Sequence, residues 1–260
     1  MSSADDDPPV RHGRTAQFDH YADTYGEAVG QSVSFTGKGV DYYASRKAEH
    51  LLELVTRQLG DPALMRALDV GCGLGITDQY LSGRFAELHG VDTAALAVER
   101  AAARNPEVRY RAYDGVDLPY QDGELDLVFA ICVVHHVPPE ERHGFVVEAA
   151  RVVRPGGLVV VFEHNPINPL TRVAVGRCEF DEGVILVSRR AATRLLTGAG
   201  LDVVERRFTT FVPFEGALAH RIDRRLHWLP VGAQHYVAAR RGVALVNTER
   251  GAGGCQRSSA

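Results

Sequence analysis

The chain has 260 residues, a net charge of −4 at neutral pH, 45% hydrophobic and 24% charged residues. This length accommodates one large domain, and the composition is that of an ordinary globular protein. The slight negative charge argues against an electrostatic nucleic-acid binder, and the apolar runs are too short to span a bilayer. Four cysteines without metal-ligand spacing, and no recognisable signal peptide, lead us to expect a cytoplasmic protein without a metal site.

Short apolar segments alternate with amphipathic ones between residues 44 and 239. Helical periodicity predicts helices over 44–59, Thr93–Ala103, Pro139–Val153 and 189–199, the last with Ser188 as N-cap and Gly200 as C′ residue. Strands are predicted at Ala67–Val70, Glu87–Val91, Val108–Tyr113, Leu125–Ile131, Leu158–Phe162, Leu201–Phe208 and His235–Ala239. Arg154–Gly157 is predicted as the turn into the fifth strand. The last two strands have no predicted helix between them, which indicates that one of them is antiparallel.

This alternation predicts an α/β fold, with a seven-stranded, mostly parallel sheet, the last strand antiparallel, and helices on both faces. In such sheets, ligands bind at the carboxyl ends of the strands, where the strand order reverses.

Three glycines lie in five residues directly after the first predicted strand, at Gly71, Gly73 and Gly75. Glycine lets the backbone turn sharply and approach a ligand without a Cβ in the way. We therefore interpret the run as a ligand-binding turn that opens a helix. A dinucleotide-binding turn has the spacing Gly-x-Gly-x-x-Gly, which requires a third glycine at position 76. Ile76 stands there instead, and this disfavours a pyrophosphate ligand.

Asp92 ends the second predicted strand. A carboxylate at this place accepts both ribose hydroxyls of a nucleoside, as in NAD sites. Asp92 therefore supports an adenosine-type ligand, and this role is compatible with capping the helix that follows.

Six motifs then stand in the order of one enzyme family: Leu68-Asp-Val-Gly-Cys-Gly-Leu-Gly75, His89-Gly-Val-Asp92, Tyr113-Asp-Gly115 with Leu118-Pro119, Leu125-Asp-Leu-Val-Phe129, Val134-His-His-Val137 and Arg154-Pro-Gly-Gly157. With them the chain resembles a class I S-adenosylmethionine-dependent methyltransferase of the broad ubiquinone-biosynthesis-like group. The resemblance implies a Rossmann-like fold, S-adenosyl-L-methionine as cofactor and S-adenosyl-L-homocysteine as product. It also implies a small-molecule methyl acceptor and no nucleic-acid or membrane partner, and it leaves the oligomeric state open.

The resemblance also implies roles for individual residues. Gly71, Gly73 and the adjacent backbone would cradle the methionine portion of the cofactor, with Asp69 helping to hold the turn. Asp92 would take the ribose hydroxyls, Asp114 the adenine amino group, and the backbone near Ile131 the ammonium group. The full cofactor-binding set implied is Asp69, Gly71, Cys72, Gly73, Gly75, Asp92, Thr93, Asp114, Gly115, Ile131 and His136.

His135 and His136 follow the fourth strand, and either could remove a proton from a hydroxyl or amine nucleophile, because imidazole titrates near neutral pH. Sugar-modifying members that share the histidine pair use an acidic residue just after the fifth strand, which implies a supporting role for Glu163 or His164. A purely structural role for the pair stays open. Cys132 and Cys178 are interpreted as small buried hydrophobic residues.

The family folds a helical lid before its core, and the chain has aromatic residues there. We expect an acceptor pocket formed by Tyr21, Tyr25, Tyr42, Tyr43 and Asn165. The expected organisation is a disordered 1–15, one domain over 16–241 and a flexible tail over 242–260. The domain divides into a lid over 16–60, a cofactor-binding core over 61–163, a substrate loop over 164–187, and the last helix and strands over 188–241.

Two other functions stay open. One is a macromolecular methyltransferase acting on RNA, DNA or protein, although the acidity argues against it and Ala130–Val133 lacks the motif of amino-methylating DNA enzymes. The other is a non-methylating member of the fold, such as a cyclase that uses the bound cofactor as a scaffold.

Overall fold

The computed structural model describes residues 37–214 and 216–243. The described strands are β1 (Arg66–Val70), β2 (Glu87–Asp92), β3 (Arg109–Ala112), β4 (Leu125–Ile131), β5 (Val153–His164), β6 (Leu201–Thr209) and β7 (Gln234–Arg241). The described α-helices are α1 (Val40–Gln58), α2 (Ala95–Arg104), α3 (Arg142–Val152), α4 (Pro169–Val175), α5 (Arg189–Gly198) and α6 (Ala217–Leu226). The predicted disordered start over 1–15 and most of the predicted tail lie outside the described residues.

The seven strands form one sheet in the order β3-β2-β1-β4-β5-β7-β6. Pairs among β1 to β5 are parallel, and β7 lies antiparallel between β5 and β6. The predicted fold class, with its antiparallel last strand, is confirmed. The chain leaves β1 toward β2 and β3, and then returns to the other side of β1 as β4. The carboxyl ends of β1 and β4 therefore form the switch point where a ligand is expected.

Alternate residues of the central strands enter two separate cores, because successive side chains of a strand point to opposite faces. In β5, Val159 and Val161 pack with α3 and α5, whereas Leu158, Val160 and Phe162 pack with α1. All five are at most 3% exposed. This burial on both faces explains why the strand reads as a continuous apolar run. Ser188 caps α5 through its Oγ, and Gly200 follows that helix at φ +78°, both as predicted.

The structure differs from the sequence-based prediction at four places. A helix, α6, separates β6 from β7, where none was predicted; it is short and rich in charge, and it buries only Ala219 and Asp223. The glycine turn leads into a 3₁₀ turn at Asp78–Tyr80 and not into an α-helix. The expected substrate loop contains α4, which Asn168 caps. The predicted turn at 154–157 is an irregular start of β5, where the register with β4 shifts.

Candidate active site

A cavity of about 910 Å³ lies at the switch point of the sheet. Loops after β1, β2, β3 and β4 line it, together with α1, α4 and the segment after β6. Its lining includes most of the residues that the sequence singled out: Asp69, Gly71, Cys72, Gly73, Asp92, Thr93, Asp114, Gly115, Ile131, His135, His136, His164 and Tyr43. The topology therefore brings side chains from distant parts of the chain to one place, and their roles as binding or catalytic residues stay predictions.

The three glycines of the turn have different surroundings. A Cβ on Gly71 would lie 2.5 Å from the Val133 side chain, and one on Gly75 would lie 2.6 Å from Asn105 and Tyr110. A Cβ on Gly73 would meet no atom within 4 Å. All three have positive φ. Gly71 and Gly75 thus let the protein pack closely, and Gly73 keeps open a space that a ligand can fill. Gly75 does not line the cavity.

Asp92 and Asp114 lie at the end of the cavity formed by the loops after β2 and β3. The Asp92 carboxylate accepts hydrogen bonds from the amides of Gly73 (2.8 Å) and Ala94 (3.0 Å). A carboxylate has about four lone-pair positions, so Asp92 can still accept hydroxyl donors from a ligand. Asp114 accepts from the amides of Val116 and Asp117, which holds its loop, and it is exposed. This end of the cavity carries negative charge and reaches solvent.

A buried acidic pair lies beneath the glycine turn. Asp69 is 3% exposed and Asp78 is fully buried, and Tyr110 donates a 2.8 Å hydrogen bond to Asp78. Burial raises the pKa of Asp69 well above its usual range, and the neighbouring charge of Asp78 raises it further. Burial likewise raises the pKa of Asp78. The Asp69 Oδ1 atom has no hydrogen-bond partner. Of the two, Asp69 lines the cavity and places an acceptor oxygen at its floor.

Lys47 is a cavity residue that the sequence analysis missed. It lies on α1, and its Nζ is 3.9 Å from the Cys132 sulfur. Cys132 directly follows β4 and has a left-handed φ of +58°, which is uncommon for a residue other than glycine and is found at functional sites. Cys132 is only partly buried, contrary to its interpretation as a buried hydrophobic residue, whereas Cys178 is buried as expected. Nothing in the spacing of α1 distinguished Lys47 from a solvent-facing lysine.

A cluster of histidines and carboxylates forms another wall of the cavity. The His135 ring contacts Glu163 Oε2 through Nδ1 at 2.6 Å and Asp181 Oδ1 through Nε2 at 3.3 Å. The Nε2 atom of His136 lies 3.4 Å from the same Asp181 oxygen. The His164 ring centre is 5.4 Å from that of His135. Glu163 is fully buried behind His135 and does not line the cavity. Asp181 was missed because it lies 46 positions after His135, on a 3₁₀ turn that no motif marks.

The cluster separates the pKa values of the histidines. Burial lowers the pKa of His135, but the charge of Glu163 and hydrogen bonds with Asp181 and Glu163 outweigh burial and raise the pKa to about 10. Burial and the positive charge of His135 lower the pKa of His136 to about 4, and the same causes lower the pKa of His164 to about 4. At neutral pH, His135 is therefore a cation between two carboxylates, and His136 and His164 are neutral.

The expected acceptor pocket is brought together only in part. Tyr43 lines the cavity, whereas Tyr42 does not. The Tyr42 hydroxyl donates a 2.7 Å hydrogen bond to the carbonyl of Val212. Asn165 donates to the carbonyls of Pro230 and Gly232 and so anchors a turn. Tyr21 and Tyr25 lie outside the described residues. The remaining wall is apolar and comes mainly from α4 and the segment after β6, with Leu170, Ala174, Val175, Phe180, Phe211 and Val212.

Comparisons with known proteins agree with this geometry. A family model described as a methyltransferase domain matches residues 68–161. An uncharacterized methyltransferase of Synechocystis is 30% identical over 146 residues, which cover 54% of this chain and 68% of that protein. A chloroplastic tocopherol O-methyltransferase of Arabidopsis thaliana is 32% identical over 139 residues. That match covers 50% of this chain and only 39% of the relative's length.

Solved structures share the fold. Geranyl diphosphate C-methyltransferase from Streptomyces coelicolor, in complex with Mg²⁺, geranyl diphosphate and S-adenosyl-L-homocysteine, superposes with a TM-score of 0.60 at 18% identity. The superposition covers 89% of this chain and 99% of that one. Among the described residues, no helix is long and apolar enough to cross a membrane. Because the glycine turn and Asp92 meet in one cavity of this fold, the methyltransferase domain model matches residues 68–161, and more than two thirds of the Synechocystis methyltransferase is matched at 30% identity, the chain belongs to the class I S-adenosylmethionine-dependent methyltransferases.

Proposed function

We propose that the protein transfers the methyl group of S-adenosylmethionine to a hydroxyl group of a small-molecule acceptor. The observation that carries the proposal is that one cavity contains both the glycine turn and the neutral His136, which contacts the Asp181 carboxylate. An enzyme of this class has to hold the cofactor and the acceptor together and remove water. The 910 Å³ cavity is at the upper end of the size range of small-molecule sites.

The cavity fits the cofactor. The open space beside Gly73 would receive the methionine portion, with the Lys47 ammonium for its carboxylate and Asp69 for its ammonium group. Asp92 would accept the ribose hydroxyls, and Asp114 would lie near the adenine. When bound, S-adenosylmethionine supplies a methyl group that is already activated on a sulfonium, so the protein needs mainly to orient the acceptor and manage one proton.

His136 is the residue of the pair that is suited to receive this proton. A general base must be unprotonated, and the pKa of about 4 keeps His136 neutral throughout the physiological range. His135 keeps its own proton because its pKa is about 10. We therefore assign His136 as base, Asp181 as the group that stabilises its protonated form, and Glu163 as the anchor of His135.

Transfer to oxygen and an apolar acceptor body are also part of the proposal. The tocopherol relative is an O-methyltransferase, and the described acceptor wall is lined mainly by aliphatic and aromatic side chains from α4 and the segment after β6. Such a wall favours a small molecule over a charged nucleic acid.

Ligand binding and turnover test the proposal together. S-adenosylhomocysteine is expected to raise the melting temperature, whereas NADH is not. With labelled S-adenosylmethionine, a panel of hydroxylated aromatic compounds is expected to give product where the matched amines do not. A protein stabilised by NADH alone, or one that methylates only the amines, would contradict the proposal.

The base assignment predicts a loss of turnover when His136 is replaced. His136→Gln is expected to lower kcat by about 10²–10⁴-fold, because general-base catalysis has that magnitude, with little change in S-adenosylhomocysteine affinity. The matched control is His220→Gln, a histidine outside the cavity, which should leave kcat unchanged. Full turnover in His136→Gln would remove this residue from the mechanism.

A further inference from the structure

Three potential metal-ligand atoms meet at the cavity wall. They come from His135, His136 and Asp181, each of which offers one ligand atom within 4.8 Å of those of the other two. The Asp181 Oδ1 atom faces Nε2 of both histidines. His135 and His136 are adjacent in the sequence and follow β4, whereas Asp181 arrives from the segment after β5. The three side chains come together only in the folded protein.

The distances within this group fit a small divalent ion. Asp181 Oδ1 lies 3.3 Å from His135 Nε2 and 3.4 Å from His136 Nε2. These separations are longer than the usual 2.7–3.2 Å of a nitrogen–oxygen hydrogen bond. Ligands about 2.0–2.2 Å from a tetrahedral zinc ion are separated from one another by roughly 3.3–3.5 Å. One oxygen facing two imidazole nitrogens at this spacing is therefore the arrangement expected around such an ion.

The surroundings of His135 have the form that metal-bound histidines need. Its Nδ1 atom is 2.6 Å from Glu163 Oε2, and its backbone amide donates to the other oxygen of the same carboxylate at 3.3 Å. Both side chains are at most 1% exposed. A carboxylate on the far nitrogen orients the ring and strengthens the histidine as a ligand. Coordination needs the Nε2 lone pair, so the ion would displace the proton that His135 carries at neutral pH, and metal binding would release a proton.

The donor set selects the kind of ion. Two imidazole nitrogens and one carboxylate favour Zn²⁺ and neighbouring transition metals, whereas Mg²⁺ and Ca²⁺ prefer oxygen ligands alone. All three residues line the cavity, so a fourth coordination position would face the space proposed for the acceptor. Three protein ligands with one open position is the pattern of catalytic and not structural zinc sites.

We propose that His135, His136 and Asp181 form a binding site for a divalent transition-metal ion such as Zn²⁺, with its open position available to an oxygen of the acceptor. Only the identity of that oxygen ligand rests on the proposed function. Metal binding and proton acceptance use the same His136 nitrogen, so they are alternative states of the cluster. In the metal-loaded state, the ion would lower the pKa of the acceptor hydroxyl that it binds, and the hydroxyl proton would leave to solvent.

Cobalt and zinc binding test the site without any methyl acceptor. The full chain, free of any affinity tag and treated with a chelator, is titrated with CoCl₂ while its visible absorption is recorded, and then with ZnCl₂ by calorimetry. We expect one Co²⁺ per chain with the intense visible bands of a four- or five-coordinate ion, and displacement of Co²⁺ by Zn²⁺.

Variants locate the binding. Asp181→Asn and His136→Gln each remove one ligand and should abolish the cobalt bands. Glu163→Gln should weaken affinity by about 10–100-fold, because it changes only the support of His135. His220→Gln is the matched control and should bind Co²⁺ like the unmodified protein. Melting temperature and S-adenosylhomocysteine binding show that each variant is folded, and the two ligand variants substitute for each other if one fails to fold.

Either of two results overturns the proposal: no cobalt bands at concentrations where the protein is folded, or bands that persist in both ligand variants. A protein that binds S-adenosylhomocysteine but no Co²⁺ refutes the metal site alone. A protein that binds Co²⁺ but not S-adenosylhomocysteine refutes the proposed function alone.

Discussion

At the scale of single residues, the glycine turn shows how one motif serves several purposes. The glycine spacing predicts that all three glycines bring the backbone close to a ligand. In the structure, Gly71 and Gly75 accommodate protein side chains, and only a Cβ on Gly73 would project into open space. The glycine spacing predicts a tight turn, but the side chains that pack against Gly71 and Gly75 come from elsewhere in the chain.

This difference predicts contrasting effects of two alanine substitutions. Gly71→Ala places a Cβ 2.5 Å from Val133 at φ +81°, so the protein is expected to lose stability as well as cofactor affinity. Gly73→Ala, at φ +52° with no atom nearby, should cost only about 1–2 kcal/mol of backbone strain while its methyl group takes space from the cofactor. Urea unfolding and calorimetric titration with S-adenosylhomocysteine measure the two effects separately. Equal losses of stability in both variants would contradict this interpretation.

At the scale of elements, a buried network joins α1 to α6 beside the cavity. The Asp223 carboxylate on α6 is 2.6 Å from Arg46 and 3.0 Å from His50, both on α1. It also accepts the backbone amide of Phe211, which lines the cavity. Burial would raise the pKa of Asp223, but the hydrogen bonds from His50, Phe211 and Arg46 lower it to about 2. The helix that carries Tyr43 and Lys47 is held in place by this charge.

Removing the Asp223 carboxylate should lower the free energy of unfolding. Asp223→Ala leaves Arg46, which is 2% exposed, without its buried partner, and a loss of about 3–5 kcal/mol in the free energy of unfolding is expected. The control is Glu49→Ala, which removes the other carboxylate partner of Arg46; Glu49 is 45% exposed, so its loss should cost no more than about 1 kcal/mol. Urea denaturation measures both. Similar losses in the free energy of unfolding for the two variants would show that burial does not determine how strongly each carboxylate stabilises Arg46.

At the scale of the whole molecule, the sheet buries a titratable group between its last strands. His235 on β7 is fully buried and donates through Nε2 to the Val187 carbonyl at 2.9 Å. Burial lowers its pKa to about 4, although this hydrogen bond and the charge of Glu163 oppose the shift. The folded protein thus binds this proton less readily than the unfolded chain, in which the pKa is about 6.5. Its stabilising contribution is complete above that value and is lost as pH falls toward 4.

The predicted consequence is a pH-dependent difference between the parent protein and His235→Gln, whose amide can still donate to Val187. Between pH 7.5 and pH 5.0, the parent protein should lose about 2 kcal/mol more of its free energy of unfolding than the variant. Urea denaturation at the two pH values provides the comparison. Parallel losses would mean that another group dominates acid sensitivity in this range.

The fold was largely predictable because its signals are local. The apolar strands, the Ser188 cap and Gly200 each depend on neighbours within a few residues, and all appear where expected. The helix α6 was not predicted, because it is short, four of its ten residues are charged, and it is held by the distant Arg46 and His50. The residues that hold this helix through Asp223 lie more than 170 positions away, so the local sequence does not reveal the contact.

For the site, the sequence alone indicated the cofactor family and the strand ends where the chemistry would lie, since the glycine turn, Asp92 and the histidine pair each follow a recognisable strand. Only the tertiary structure decided how the two histidines differ. Asp181 and Glu163 approach from separate parts of the chain, and together with burial they raise the pKa of His135 and leave His136 neutral. The physical reason is that charge and desolvation act through space, so two adjacent residues of one type acquire opposite protonation states once the chain folds around them.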